Sequence, residues 1–559
     1  MRYKQRIVSI YFIFVFLFLI ISLKVSYLQI FKSNFFKNLA QNQHYRLLRL
    51  EGRRGNIYDR KGRVLATGIS SYSVFADPSM VKNKELAAKS LASNLDLREE
   101  TLLTKVKKRN RFVWIKRKIS WEEKESIQSA KLEGVGLIRE EKRFYPQDSL
   151  ASSVMGIANI DNQGLEGLEI YYDNYLSGKE GWVRVLQDSA SREIILSLQI
   201  ITPQQGADLI LTIDAQIQYW AERFLAETIE KFDAKQGSLI VIDASQGEIL
   251  ALANLPGFNP NNLGRVSSKD MRNRAVSDMF EPGSVFKVVT LLTAINEDGF
   301  SNEDKFFCEK GLYKIPGSTL HDWRPYGELT FEEVFMKSSN IGIAKINEAL
   351  GPQVLFENIK RLEFGKATGI DLPAEASGAI KPLNRWSKTS KYIIPIGQEI
   401  GVNLIQLART FAVIANGGYL VEPHVVKSIC SSGFCKDTTS QRKRIFSKST
   451  AERAKNILIR VVQEGTGKRA AVEGRVIGGK TGTAQKYDPK IKAYSPNKYR
   501  ATFVGFIADL DSPLVIGVTV DEPRKSHFGG VVAAPVFSKV AQKVIQYIEG
   551  ESSLAKQLQ

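Results

Sequence analysis

The stretch Glu281-Pro-Gly-Ser284-Val-Phe-Lys287-Val-Val-Thr-Leu-Leu-Thr-Ala-Ile295 decides how this chain of 559 residues is read. After the Pro-Gly turn nearly every position is apolar, so the segment predicts a helix buried on all sides. Residues three apart share a helical face, which brings the Ser284 hydroxyl and the Lys287 amine together in the interior. A lysine is costly to bury without a reason, so this pairing points to chemistry. The same spacing also occurs at Ser79 and Lys82, Ser440 and Lys443, Ser495 and Lys498, and Ser553 and Lys556, so spacing alone decides nothing. Ser284 stands apart through its buried setting and two companions that follow in order.

The first companion is Ser338-Ser-Asn340, ahead of the helical-looking Ile341-Gly-Ile-Ala-Lys-Ile346; taken singly it reads as a helix N-cap. The second is Lys480-Thr-Gly-Thr483, on a strand-like segment after Val476-Ile-Gly-Gly479; taken singly it reads as a bulged edge strand. Further out, two apolar strands at 238–244 and 248–253 are joined by Ser245-Gln-Gly, a hairpin signature, and a second pair lies at 501–508 and 514–520. Helical periodicity fills the space between, including 285–295 and 404–415. The pattern predicts an α+β plan: a central antiparallel sheet built from both ends of the region, with an all-helical insertion.

A strand-like Leu209-Ile-Leu-Thr-Ile-Asp214 runs into a helical pattern at Ile217, Trp220, Phe224 and Leu225, which places a boundary near residue 215. Residues 32–215 carry no catalytic pattern and read as a separate non-catalytic domain. Residues 216–548 form the catalytic domain, and the polar tail 549–559 is expected to fray. Within the first region, Arg54-Gly-Asn-Ile-Tyr-Asp-Arg-Lys-Gly62 predicts a tight structural turn rather than a phosphate loop.

At the N-terminus no charge interrupts the run from Ile7 to Leu23, and apolar character resumes after Lys24, so residues 7–31 can span a bilayer. Arg2, Lys4 and Arg6 place residues 1–6 in the cytoplasm and everything after about residue 30 outside. The apolar core is longer than that of a cleaved signal peptide and lacks a prompt small-residue cleavage site, which favours an uncleaved anchor. A formal charge of +19 attracts anions in general, but no nucleic-acid-binding motif accompanies it. Four scattered histidines show no metal-ligand spacing. Of three cysteines, Cys430 and Cys435 flank a turn-like Ser-Ser-Gly-Phe; a bond between them and three free thiols are both open readings.

Together the three motifs resemble the S-x-x-K, S-x-N and K-T-G set of the active-site serine penicillin-recognising enzymes. Beyond the anchor the chain is similar to the class B penicillin-binding proteins at Arg54–Gly62, Arg143-Phe-Tyr-Pro146, Gly164-Leu-Glu-Gly-Leu-Glu169, Tyr172-Asp173, Leu176-Ser-Gly178, Asn273-Arg-Ala275 and Ala533-Ala-Pro-Val-Phe537. Ser73-Val-Phe-Ala-Asp-Pro78 and the lack of C-terminal repeats look most like the septal, cell-division subgroup. Asn403-Leu404 departs from the Thr-Pro more usual in the family.

The resemblance implies a single-pass protein of the bacterial cytoplasmic membrane, with an elongated pedestal and an outer D,D-transpeptidase domain. Its substrates would be peptidoglycan stem peptides, as D-Ala-D-Ala donors and amine acceptors. β-Lactams would acylate it, and its partners would be a polytopic glycan polymerase and other divisome proteins. No cofactor, metal or nucleic acid is implied.

Ser284 would be the nucleophile. With no histidine near it, Lys287 is the expected base, and its pKa would have to fall by about three units, roughly 4 kcal/mol. Ser338 would relay the proton and Asn340 would bind the substrate backbone. Lys480, Thr481 and Thr483 would hold the terminal carboxylate, with Gly482 clearing room and the amides of Ser284 and Thr483 forming the oxyanion hole. Competing readings are lateral-wall transpeptidation, a β-lactamase or D,D-carboxypeptidase, and a non-catalytic β-lactam sensor or scaffold.

Overall fold

The computed structural model describes residues 2–36, 45–50, 52–187, 193–194, 200–264, 266–488 and 491–557. They form two compact units, Met1–Arg53 with Gly178–Gly206, and Arg54–Ser177 with Ala207–Gln559. In the first unit the expected apolar run forms helix α1 (Arg2–Ile30). Its stretch Tyr3–Ile30 has a mean hydropathy of 2.6 over the apolar window, none of which is buried. A helix of 28 residues rises about 42 Å, enough to cross a hydrocarbon core of about 30 Å. In the same unit Tyr45–Leu50 pairs antiparallel with Gly181–Gln187, which Ile200–Ile201 also joins.

The second unit opens with β1 (Ile57–Tyr58) and β2 (Val64–Ala76), joined by the tight turn that the bracketing glycines predict. Asp59 accepts the backbone N–H groups of Lys61 and Arg63, both at 2.8 Å, and Gly62 adopts a φ of +78°. β3 (Val113–Ile119) and β4 (Val135–Phe144) both run antiparallel to β2. A buried ionic cluster holds the base of this region: the Glu169 carboxylate accepts from Arg54 Nε and Arg143 Nε, each at 2.7 Å, and Arg54 Nη1 reaches Asp173 at 2.7 Å.

β5 (Asp208–Leu211) lies parallel to β1 on one side and antiparallel to Val426–Ser431 on the other. Residues of the stretch expected as one domain, 32–215, fall in both compact units. Residues 54–177 share a sheet with the C-terminal half because β5 offers a hydrogen-bonding edge to each, while 178–206 pack with the first unit.

Asp214 then caps α2 (Ala215–Phe232) by accepting from the N–H groups of Gln216 and Ile217. The hairpin β6 (Gln236–Asp243) and β7 (Ile249–Leu255) follows where expected. After a 3-10 turn at Gly283–Phe286 come the inserted helices α3 (Lys287–Asn296), α4 (Asn340–Leu350), α5 (Pro352–Arg361) and α6 (Leu404–Ala415). Asn403 caps α6 in a reciprocal capping box with Gln406, so its departure from Thr-Pro leaves the helix start satisfied.

β8 (Val426–Ser431) and β9 (Phe434–Asp437) make a hairpin in which the facing residues Cys430 and Cys435 are disulfide-bonded, and Cys308 is a buried free thiol. Beyond α7 (Lys448–Gln463) the chain returns as β10 (Ile477–Asp488), β11 (Ala493–Ile507) and β12 (Leu514–Asp521). The five-stranded sheet has the order β7-β6-β12-β11-β10 and is antiparallel throughout, which leaves β10 on an edge.

Alternation along β6 divides the core. Leu239 and Val241 pack in one cluster with α2 and the last helix, α8 (Ala534–Gln557), whereas Ile240 and Ile242 pack in another with α3 and α6. Residues 549–557, expected to fray, continue α8, because Ala, Leu, Lys and Gln extend a helix once packing has nucleated it.

Candidate active site

Ser284 sits half-buried in the 3-10 turn, and Lys287 follows at the start of α3 with no exposed surface. The turn docks against β10 at very short range. A Cβ on Gly482 would lie 2.7 Å from Val285 Cγ2 and 2.9 Å from the Pro282 carbonyl oxygen, and one on Gly283 would lie 3.1 Å from the Thr483 oxygen. Glycine at 482 is therefore what lets strand and turn meet, a packing reason beside the expected clearance for substrate.

Of the Ser338-Ser-Asn340 motif, Ser338 takes the left-handed conformation at φ +58° between two helices, and Ser339 is the N-cap of α4, accepting from Gly342 N at 2.9 Å. The cap thus falls on the middle serine, which leaves the Ser338 side chain free to enter the cleft.

Lys480 Nζ donates to Ser338 Oγ at 2.8 Å, and Lys287 Nζ approaches the same oxygen at 3.3 Å. Lys287 Nζ also donates to the Ser338 carbonyl at 2.8 Å and to Asn340 Oδ1 at 2.7 Å. Burial pushes the Lys287 amine down to about 7, although the Asp322 carboxylate and the Cys308 thiol pull the other way. Lys480 is held well below the usual lysine range, by burial first and then by the charge of Lys287. Two buried amines meeting at one hydroxyl cannot both carry a proton readily. A neutral Lys287 would spend its two N–H bonds on Ser338 O and Asn340 Oδ1, leaving its lone pair for a proton donor.

Strand alternation separates Lys480 from the two threonines. Thr481 Oγ1 bonds Thr466 Oγ1 at 3.0 Å, and Thr483 Oγ1 accepts from Gly529 N at 3.1 Å, so both hydroxyls point away from the face that Lys480 and Gly482 turn toward the helices. The Thr483 hydroxyl hydrogen remains available to an acceptor.

Residues 237–542 match the family model of the penicillin-binding protein transpeptidase domain, and residues 49–211 match that of the penicillin-binding protein dimerisation domain. The chain belongs to the class B penicillin-binding proteins. It is 35% identical over 549 residues to Stage V sporulation protein D of Bacillus subtilis, covering 96% of this chain and 85% of that one. It is 30% identical over 532 residues to the peptidoglycan D,D-transpeptidase FtsI of Escherichia coli, covering 94% of this chain and 88% of that one. Among solved structures, penicillin-binding protein 3 of Mycobacterium tuberculosis in complex with aztreonam aligns at a TM-score of 0.72 and 28% identity, over 90% of this chain and 97% of that one.

This penicillin-binding protein also has site residues that reading the sequence missed. Asp322 accepts Ser339 Oγ at 2.6 Å and the backbone N–H groups of Asn340 and Ile341, so one carboxylate fixes the start of α4 and biases Lys287. The His321 carbonyl accepts from Asn340 Nδ2 at 2.8 Å, which aims Oδ1 at Lys287. Gly397, at φ +85°, lets the chain pass against Gly283, where a Cβ would lie 2.1 Å from the Gly283 oxygen. Only a turn signal marks Gly397 in the sequence, and nothing marks Asp322.

Proposed function

We propose that this class B protein is a serine D,D-transpeptidase in which Ser284 attacks the penultimate carbonyl of a D-Ala-D-Ala stem peptide. The observation that carries the reading is the Ser338 hydroxyl set between the buried amines of Lys287 and Lys480, beside the turn that bears Ser284. Neutral Lys287 takes the Ser284 proton as the Oγ–C bond forms. The C–N bond to the terminal D-Ala breaks, and the proton passes through Ser338 to the leaving amine. The amine of a second stem peptide then attacks the ester, its proton returns to Ser284 Oγ, and one amide has been exchanged for another without water.

Lys480 supplies positive charge behind Ser338, Thr481 and Thr483 at the β10 edge receive the donor carboxylate, and Asn340 orients Lys287 and the substrate backbone. The amides of Ser284 and Thr483 face the developing oxyanion, in keeping with the close approach of turn and strand. A strained β-lactam amide enters the same path. Labelling with a fluorescent penicillin tests the assignment: wild type is expected to label and Ser284→Ala is not, and equal labelling of the two would refute the nucleophile.

Arg2, Lys4 and Arg6 support an N-terminus in the cytoplasm and a catalytic domain outside it. A septal role, beside a glycan polymerase and other divisome proteins, is favoured by the Ser73–Pro78 resemblance, with lateral-wall synthesis as the alternative. A fluorescent fusion should collect at midcell; uniform sidewall placement would select the alternative.

A further inference from the structure

Transpeptidation needs a second substrate, and the cleft around Lys480 and Thr483 accounts only for the first. A cavity of about 1130 Å³ is bordered by Glu281, just before the Ser284 turn, and by Ala484 and Gln485 of β10, just after Thr483. Its apolar lining includes Phe280, Phe356, Phe364, Ile380 and Ile400.

The charged groups around it are unevenly used. Lys381 is paired with Glu399 at 3.1 Å, and Lys486 and Arg500 are paired with Asp521 at 2.8 and 3.0 Å. Lys360, Lys366 and Arg385 are exposed and have no ion pair among the described residues. Lys360 stacks over the Phe356 ring at 4.8 Å. The cations continue into an adjoining recess of about 620 Å³ that shares Lys360 and Lys366 and adds Arg361, Lys443 and Arg444, with one carboxylate, Glu363, that is paired with Arg409 at 3.4 Å. A carboxylate borders the cavity at the start of the Ser284 turn: Glu281, three residues before Ser284, accepts Tyr494 OH and Glu399 N through Oε1 alone.

Building on the transpeptidase reading, we propose that this cavity is the acceptor site, binding the second stem peptide with its amine toward Glu281 and Ser284 and its carboxylate toward Lys360, Lys366 and Arg385. The acceptor is of the same class as the donor, so it carries a C-terminal carboxylate as well as a free amine, and the charge gradient of the cavity fits that polarity in one direction only. The apolar floor receives the aliphatic part between the two ends. Helix-dipole complementarity accounts for Lys360 in the last turn of α5, but not for Lys366 or Arg385, which lie outside any α-helix.

The test uses the full chain in detergent, with Lys360→Ala, Lys366→Ala and Arg385→Ala combined. Fluorescent-penicillin acylation is read first and reports only on Ser284. It should match wild type, and absence of acylation in the wild type would remove the parent reading. Binding of a labelled stem peptide to Ser284→Ala protein, with and without the triple substitution, is then measured at equilibrium. The triple substitution should weaken a peptide with a free carboxylate by at least about tenfold and leave its C-terminally amidated counterpart unchanged. Equal affinity of both proteins for the carboxylate peptide, or equal weakening of both peptides, would overturn the acceptor assignment.

Discussion

Ser338 holds a position that no single-residue rule would assign it: one hydroxyl oxygen accepts from Lys480 and is within reach of Lys287, and its hydrogen is left to point elsewhere. The consequence shows in pH dependence. Lys287 is a base only when neutral, and burial sets its pKa near 7, so acylation by a β-lactam should fall about tenfold for each pH unit below that value and level off above it. Asp322 pulls this pKa upward, and so Asp322→Asn, which keeps an acceptor for the start of α4, should move the acid limb to lower pH. Acylation rates from roughly pH 5 to 9 would check both expectations. An unmoved midpoint in the variant would mean that Asp322 only holds the helix.

Among the elements, the contact between β10 and the Ser284 turn tolerates the least change. Gly482→Ala would drive a methyl group into Val285 and the Pro282 carbonyl, so it should destabilise the protein by about 1–3 kcal/mol and slow penicillin acylation by displacing Ser284. Thermal unfolding and acylation measured on one preparation would test the pair of effects, and normal acylation would show that the turn can shift at no loss. The β8–β9 hairpin gives a contrast, because it belongs to a different sheet from β10. Opening the Cys430–Cys435 bond should cost about 2 kcal/mol or less, given the short loop it closes, and leave acylation unchanged.

Across the whole molecule, the segments that resemble the class B family near the start of the chain carry buried ion pairs and hydrogen bonds that tie distant residues together. Glu169 pairs with both Arg54 and Arg143 while Asp173 pairs with Arg54, and Tyr172 OH donates at 2.9 Å to Asp371, which also accepts the N–H groups of Val425 and Val426 at the start of β8. Glu169→Ala would leave the buried Arg143 guanidinium without its counter-charge and Arg54 with Asp173 alone, and a loss of about 3–5 kcal/mol is expected in thermal unfolding of the full chain. An unfolding temperature equal to that of wild type would show that the arginines find other partners.

The sequence by itself determined the apolar N-terminal helix, the two hairpin-like strand pairs, the helical insertion and the half-buried serine with a fully buried lysine three residues on. Each of these is a local matter of period and burial, carried by adjacent side chains. Only the tertiary structure decided that Ser338 lies between two amines, that Asp322 stands behind α4, that the missing side chain of Gly482 is filled by a turn 200 residues earlier, and that β5 joins sheets from both halves of the chain. Those facts depend on pairings between residues far apart in sequence, and chain-distant contacts leave no periodic trace in the residues that make them.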